Sequence, residues 1–388
     1  MGSTPDTLTD DLDTLKSLDR PTGTRGWHPR REAVCLFLLL AATLFSRAAF
    51  VWYESLHFDS DQAVVGLMAL DIARGRGLTV HYYGLGYLAT VEPYLAAPLF
   101  VLFGPSRWAL KFPLLLMGVA VAWMTYIAFR RDTGASSRLA VLLALPFAVP
   151  SVLLASRLVE ANGGNLDVFG WLMVLWFLRR RPLWLGLVAG VALQARLFCA
   201  YGLASLLMIL LCQRRWRLRH YLISATGGAG TYGLIVLLAR YSLNNFGGGA
   251  PVRLSNLEDI TYLFRGICTQ LVPPLFGFIP TELSRFNIMS SLVSFSGPFG
   301  IITIASLALL LVAAAGLLRH RAALRWEFPC YLMGCGLLCV VGFCTLQGNL
   351  LVDRMQVRYL LLLLWLPMGV AALVSQTRMR PVAVVALL

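Results

Sequence analysis

Charged residues are scarce in this chain. Asp, Glu, Lys and Arg make up 13% of its 388 residues, whereas a typical soluble domain contains about 25%. Apolar residues make up 58%, and the mean hydropathy is +0.71. A single hydrophobic core could not bury so many apolar side chains. The composition therefore excludes an ordinary soluble protein and predicts an integral membrane protein.

Acidic residues are scarcer still, with 19 of them against 33 basic residues and a net charge of +14. In a soluble protein this excess would suggest nucleic-acid binding, but in a multi-pass membrane protein it follows from the enrichment of Lys and Arg in cytoplasmic loops. Most of the basic residues fall in segments that alternate with apolar runs, such as Arg130–Arg131 and Arg179–Arg181. This alternation predicts a cytoplasmic N-terminus and no nucleic-acid partner.

The sequence also lacks the common signatures of nucleotide and zinc sites. It contains no Walker-type or dinucleotide-binding glycine motif, and its predicted cytoplasmic loops are too short to fold a nucleotide-binding domain. The eight cysteines match no zinc-binding pattern and fall mostly in or beside apolar runs. We interpret them as small packing residues. No internal repeat is visible.

Apolar runs long enough to cross a bilayer, roughly 20 residues, recur along the chain. They predict an all-α polytopic membrane protein with about eleven transmembrane helices. Residues 1–31 are polar and predict a disordered cytoplasmic tail, which leaves 32–388 as the transmembrane domain. The spans are predicted near 32–52, 107–129, 138–156, 165–178, 182–196, 198–212, 220–239, 297–318, 328–346, 358–375 and, begun only, 381–388.

The first predicted outer loop, residues 53–106, opens with two acidic residues soon after the first span. In an extended stretch Asp59 and Asp61 point to the same side, which suits a general base or, with His57, a divalent cation. Acidic residues are also common helix N-caps, and Asp61 could cap the helix predicted over 63–73. The residues alone leave both interpretations open.

The rest of this loop is aromatic and then apolar. Tyr82, Tyr83 and Tyr87 lie in a glycine-rich stretch and suit either an interfacial aromatic belt or a platform for a sugar ring. Glu92 precedes a second apolar segment, 95–103, which is too short to span and predicts another interfacial helix. We expect Glu92 to face the same cavity as the two aspartates.

Part of this loop resembles a known family. The stretch FDSDQAVVGLMALDIARG, followed by HYYGLGYLATVEPYLAAPLFVLFGPSRWALK, is similar to the first outer loop of family 39-type glycosyltransferases of the GT-C superfold. These membrane enzymes are related to protein O-mannosyltransferases and lipid A aminoarabinose transferases. The similarity covers residues 57–111 well and is looser elsewhere. It implies a cell-envelope enzyme that transfers a sugar from a polyprenyl-phosphate donor to a glycan, lipid or protein acceptor on the extracytoplasmic face.

The resemblance also implies substrate-binding residues outside this loop. They are Glu160, Asp167, Arg196, Arg358 and Tyr359. Several have a structural alternative that the residues leave open. Glu160 could simply pair with Arg157, Arg196 could extend to the membrane interface, and Arg358 could only anchor its span.

In the implied mechanism, carboxylates accept a proton and arginines stabilise the leaving phosphate. Asp59 or Asp61 accepts the proton of the acceptor hydroxyl, and Glu92 is a third catalytic carboxylate in the same cavity. Arg196 and Arg358 stabilise the leaving phosphate, and the attack inverts the anomeric centre. No cofactor is obligatory in this scheme, although the two aspartates could hold a metal ion.

The second long outer segment, residues 240–296, is predicted to cover the cavity. It contains Arg285, a further candidate for the donor phosphate. The alternative function for the whole chain is a lipid or sugar transporter or flippase without transferase activity. An internal repeat and charges deep inside the spans are typical of that class.

Overall fold

The structure of the chain, a computed structural model, describes residues 29–52, 58–77, 79–85, 88–214, 216–241, 256–267, 325–345 and 360–376. Within these ranges the chain forms α-helices and no β-strand, which confirms the predicted all-α class there. Most of the predicted tail, the span 297–318 and the run 381–388 lie outside the described residues.

Thirteen α-helices lie in the described ranges, numbered in chain order. They are α1 (Pro29–Trp52), α2 (Ser60–Ala73), α3 (Glu92–Phe103), α4 (Arg107–Ala128), α5 (Ser137–Ala148), α6 (Val152–Arg157), α7 (Asp167–Leu178), α8 (Pro182–Ala195), α9 (Cys199–Gln213), α10 (Leu218–Ala239), α11 (Leu257–Gly266), α12 (Glu327–Thr345) and α13 (Trp365–Val374). A π-helical turn, Phe129–Thr133, continues α4, and a 3-10 turn, Leu361–Leu364, leads into α13.

Four of the described helices are long and apolar enough to cross a membrane: α1, α4 with its π-helical turn, α10 and α12. Helix α10 leaves many large apolar side chains exposed, including Leu222, Leu234 and Leu237. A continuous apolar surface of this kind is unfavourable in water and suits contact with lipid. The chain is therefore a multi-pass membrane protein.

The predicted span 138–156 is wrong as a single helix, because α5 ends at Ala148 and α6 begins at Val152. Pro150 lacks a backbone donor and disfavours a helical conformation in the residue before it. Ser151 then caps α6, with its hydroxyl accepting from the amide of Leu154 at 3.3 Å. The length of the apolar run does not predict this break, because apolar residues continue on both sides of it.

Several predicted inner segments meet at one end of the helices. The Glu32 carboxylate at the start of α1 accepts hydrogen bonds from Arg130 and, at 3.2 Å, from Ser137. Asp132 accepts from Arg179 at 2.8 Å. These contacts place the segments on the same side, as the charge pattern requires.

The first outer loop contributes two short helices that pack on each other, and α3 also packs on α4. Helices α2 and α3 both begin three residues earlier than predicted. Asp59 caps α2, and Pro93 fits the first turn of α3. From the segment 240–296 the structure describes α11, which packs against α12. The predicted role of that segment as a cover stays a prediction.

Candidate active site

Glu92 lies at the centre of a buried polar cluster at the predicted outer ends of the helices. Its side chain is only 1% exposed, and its two oxygens accept hydrogen bonds from the amides of Gly163 at 2.8 Å and Gly164 at 2.9 Å. These glycines have φ angles of +84° and +120°, a region that favours glycine. A Cβ on Gly163 would also lie 2.9 Å from Leu88. The two amides therefore lie in a turn that favours glycine, and both donate to the Glu92 carboxyl.

Asp167 and Arg196 complete what we call the outer cluster: Glu92, Gly163, Gly164, Asp167 and Arg196. Asp167 is buried as the first residue of α7, and Arg196 directly follows α8. The Arg196 Nε atom lies 3.5 Å from the carbonyl oxygen of Gly164. Both side chains interact electrostatically with Glu92. The cluster thus combines two carboxylates and one guanidinium from three separate segments.

The surroundings of Glu92 favour its neutral form. Burial raises the pKa of its carboxyl from an ordinary 4.5 to about 8, and the nearby Asp167 carboxylate acts in the same direction. The two glycine amides and Arg196 lower this pKa and offset only part of the rise. A carboxyl with a strongly shifted pKa inside a polar cluster is typical of functional sites.

A second group, which we call the Glu160 network, consists of Arg157, Glu160, Asn162 and Asn165. Arg157 Nη1 donates to Glu160 Oε1 at 2.6 Å, and the side-chain amides of both asparagines lie 3.4 Å from Glu160 Oε2. All four side chains are buried. Glu160 therefore makes the pair with Arg157 that the structural alternative predicted, and its role in substrate binding stays a prediction.

Asn165 joins the Glu160 network to the outer cluster. Its Nδ2 atom donates to the carbonyl oxygen of Arg157 at 3.0 Å, and its Oδ1 atom accepts from Arg196 Nη2 at 3.4 Å. The two groups are therefore parts of one continuous polar region.

Asp59 caps α2, because its Oδ1 atom accepts from the amide of Gln62 at 3.0 Å. The capping alternative is thus realised by Asp59 and not by Asp61. Asp59 also interacts electrostatically with Lys111, which in turn interacts with Glu160. Among the described residues no three His, Cys, Asp or Glu side chains form a metal site. A cation held by Asp59 and Asp61 stays a prediction.

The predicted tyrosines differ in where they lie. The Tyr82 hydroxyl donates to the carbonyl oxygen of Asp61 at 3.1 Å, and its ring lies against Gly163, so it connects the start of α2 to the outer cluster. The Tyr83 hydroxyl donates instead to Asp71 at 2.9 Å. The remaining predicted residues lie outside the described ones: His57, Tyr87, Arg285, Arg358 and Tyr359.

A small, partly open cleft lies beside the outer cluster. Arg196, Asn165 and Gly164 supply its polar wall. Its apolar wall consists of Val168, Phe169, Phe198, Leu361 and Leu362. A cation beside apolar side chains suits a ligand that carries a negative charge next to a hydrocarbon group.

Three polar residues of this region are not among the predicted site residues: Lys111, Asn165 and Gln194. A lysine within an apolar run and an asparagine beside a Gly-Gly pair were visible signals. Gln194 Oε1 lies 3.2 Å from His81 Nε2, and its carbonyl oxygen accepts from the amide of Ala89 at 2.8 Å. These contacts hold His81 and Ala89 against the end of α8. Residue spacing does not predict them, because the two segments are far apart in the chain.

Together these features define an all-α, multi-pass membrane protein with a buried carboxylate–arginine cluster beside a cleft. The chain is similar in structure to ArnT from Cupriavidus metallidurans in the apo state, with 17% identity, 89% of this chain and 77% of that chain covered, and a TM-score of 0.40. No protein-family model and no curated protein matches the sequence. A likeness at this level assigns neither a family nor an activity to the chain.

Proposed function

We propose that this protein is a membrane glycosyltransferase of the GT-C type. It moves a sugar from a polyprenyl-phosphate donor to an acceptor on the extracytoplasmic face and inverts the anomeric centre. The observation that carries the proposal is the outer cluster with its arginine in the wall of a largely apolar cleft. The resemblance of residues 57–111 to family 39-type glycosyltransferases supports the same reaction.

The two walls of the cleft suit the two parts of such a donor. The guanidinium of Arg196 can bind phosphate oxygens in a bidentate manner. Phe198 and the leucines at 361 and 362 offer an apolar surface to the polyprenyl chain. Arg358 precedes these leucines closely in the sequence, and we propose it as a second phosphate contact.

Sugar transfer requires a base for the acceptor and a cation for the leaving group. The acceptor oxygen bonds to the anomeric carbon while its proton passes to a carboxylate, for which we propose Asp59 or Asp61. The bond from the anomeric carbon to the phosphate oxygen breaks, and its electron pair stays on the phosphate. Polyprenyl phosphate leaves, and Arg196 stabilises its charge in a site shielded from bulk water.

Glu92 has a different part in this scheme. Both of its oxygens accept hydrogen bonds from the Gly163–Gly164 turn, so we assign it to holding that turn beside Arg196. The cap of α2 uses the Oδ1 atom of Asp59, which leaves its Oδ2 atom to accept a proton. No step of this scheme requires a metal ion.

The proposal is tested with the purified full chain in proteoliposomes, radiolabelled undecaprenyl-phosphate sugars as donors and a cell-envelope extract as acceptor. Asp59→Asn and Asp61→Asn are compared with the wild type. Asparagine is also a good N-cap, so Asp59→Asn retains α2 while removing the base. We expect one of the two substitutions to lower kcat by about 10²- to 10⁴-fold, the usual contribution of a general base.

Asp71→Asn is the matched control, because Asp71 lies on the same helix and bonds to Tyr83 and Arg76. It should transfer sugar at nearly the wild-type rate. The assignment of the base fails if Asp59→Asn and Asp61→Asn both fold and both retain wild-type transfer.

A further inference from the structure

The orientation of the Asn165 side chain is set by its surroundings. The side chain is 2% exposed, and its Nδ2 group donates to the carbonyl oxygen of Arg157 and to Glu160 Oε2. An asparagine amide has two N–H donors, and both find acceptors here. Its oxygen must therefore face the other way, toward Arg196.

Glu160 is itself fixed from two further directions. Arg157 Nη1 donates to one of its oxygens at 2.6 Å, and the amide of Asn162 lies 3.4 Å from the other. A buried ion pair with added hydrogen bonds is a rigid support. Asn165 thus transmits the position of the Arg157–Glu160 pair to Arg196.

Arg196 has a long side chain with several rotatable bonds, and ordering such a side chain opposes binding. Its guanidinium donates to Asn165 Oδ1 at 3.4 Å and to the carbonyl oxygen of Gly164 at 3.5 Å, and it borders the cleft. A cation that is already oriented binds an anion more tightly than one that must first be ordered.

We propose that Asn165 is a positioning residue, which orients the Arg196 guanidinium for a phosphate group in the cleft. The inference rests on the proposed function, in which that phosphate belongs to a polyprenyl-phosphate donor. Asn165 acts through Arg196 and takes no part in the bond changes.

The test measures the affinity of the full chain in nanodiscs for undecaprenyl phosphate, with undecaprenol as the uncharged reference. We expect Asn165→Ala to weaken undecaprenyl phosphate binding about five- to tenfold and to leave undecaprenol binding unchanged. Asn162→Ala is the matched control, because it removes a bond to the same Glu160 oxygen while Asn165 and its bond to Arg196 remain. It should weaken undecaprenyl phosphate binding by less than Asn165→Ala does.

A double-mutant cycle with Arg196→Gln separates positioning from general damage. If Asn165 acts through Arg196, Asn165→Ala should have less than about a twofold effect in the Arg196→Gln background. An equal loss in both backgrounds, or an equal loss from Asn162→Ala, would overturn the inference. If Arg196→Gln itself leaves phosphate affinity unchanged, the phosphate contact of the proposed function fails instead.

Folding of each variant is checked by thermal unfolding in detergent. If Asn165→Ala does not fold, Asn165→Ser serves in its place, with Asn162→Ser as its control. The single serine hydroxyl cannot replace both the bonds to Arg157 and Glu160 and the bond to Arg196. We expect Asn165→Ser to weaken undecaprenyl phosphate binding about five- to tenfold, and an equal loss from Asn162→Ser would contradict the inference.

Discussion

The buried carboxyl of Glu92 is stabilised by backbone amides. An unpaired polar group in such a place would be strongly unfavourable, but both oxygens accept from the glycine turn. The same bonds satisfy two amides that α7 does not use, since the turn precedes that helix. Glu92 therefore connects α3 to the segment that leads into α7, and losing it would leave buried amides without acceptors.

The raised pKa of Glu92 predicts a pH-dependent stability. Its folded pKa of about 8 exceeds its ordinary value of 4.5. The stabilisation from this group is therefore complete below pH 4.5 and is lost as the pH rises through 8. We expect the unfolding temperature of the wild type to fall more between about pH 5 and pH 9 than that of Glu92→Gln, whose amide does not titrate.

Thermal unfolding of both proteins in the same detergent, followed across this pH range, measures the difference. Parallel curves for the wild type and Glu92→Gln would contradict a raised pKa.

The sequence predicts Glu92, Asp167 and Arg196 as site residues, and the structure brings them together. The sequence does not predict that Gly163 and Gly164 donate to Glu92. Acidic and basic residues near the ends of apolar runs are conspicuous because burying them is costly. Asn165 stands beside a Gly-Gly pair but carries no charge, and its partners Arg157, Glu160 and Arg196 are brought together by the folded chain. Residue spacing therefore does not predict its role.

Helices α8 and α10 approach each other through glycines. Gly186 and Gly190 are four residues apart on α8, and a Cβ on Gly190 would lie 2.5 Å from the carbonyl oxygen of Gly228 on α10. Small residues at this spacing let membrane helices pack backbone to backbone. Since Arg196 directly follows α8, this contact also supports the position of the arginine.

Replacing Gly190 should therefore separate the two helices. We expect Gly190→Leu to destabilise the protein by about 1–3 kcal/mol, the usual effect of overpacking, and to weaken binding of undecaprenyl phosphate as well. Thermal unfolding and the nanodisc binding assay measure the two effects. The control is Gly233→Leu, since a Cβ on Gly233 meets nothing within 4 Å, and equal losses from both variants would contradict the role of the contact.

Individual elements were predicted with uneven success, for physical reasons. The long helices α1, α4, α10 and α12 follow from continuous apolar runs, which leave few other structures in a bilayer. The break between α5 and α6 was not predicted, because the apolar run continues past Pro150, which lies between the two helices. The start of α2 depends on its N-cap Asp59, and the start of α3 depends on Pro93 in its first turn. Neither feature is part of an apolar pattern.

At the scale of the whole molecule, the distribution of basic residues between alternating loops determines the predicted orientation. Arg131 lies on the predicted inner side and Arg76 on the predicted outer side, and both side chains are about half exposed, at 48% and 57%. They form a matched pair for testing the topology. We expect a membrane-impermeant thiol reagent to label Arg76→Cys in intact cells.

Arg131→Cys should be labelled only after the cells are permeabilised, with the wild type giving the background from native cysteines. The reverse pattern would place the outer cluster in the cytoplasm and would contradict transfer on the extracytoplasmic face.

The most direct test of the proposed glycosyltransferase follows the donor itself. Proteoliposomes that contain the wild-type protein receive undecaprenyl-phosphate sugars labelled in the sugar, together with a cell-envelope extract, and the products are separated. The account predicts labelled acceptor together with an equal amount of released undecaprenyl phosphate. Intact donor that moves between leaflets without transfer of its sugar would contradict the account and identify a transporter.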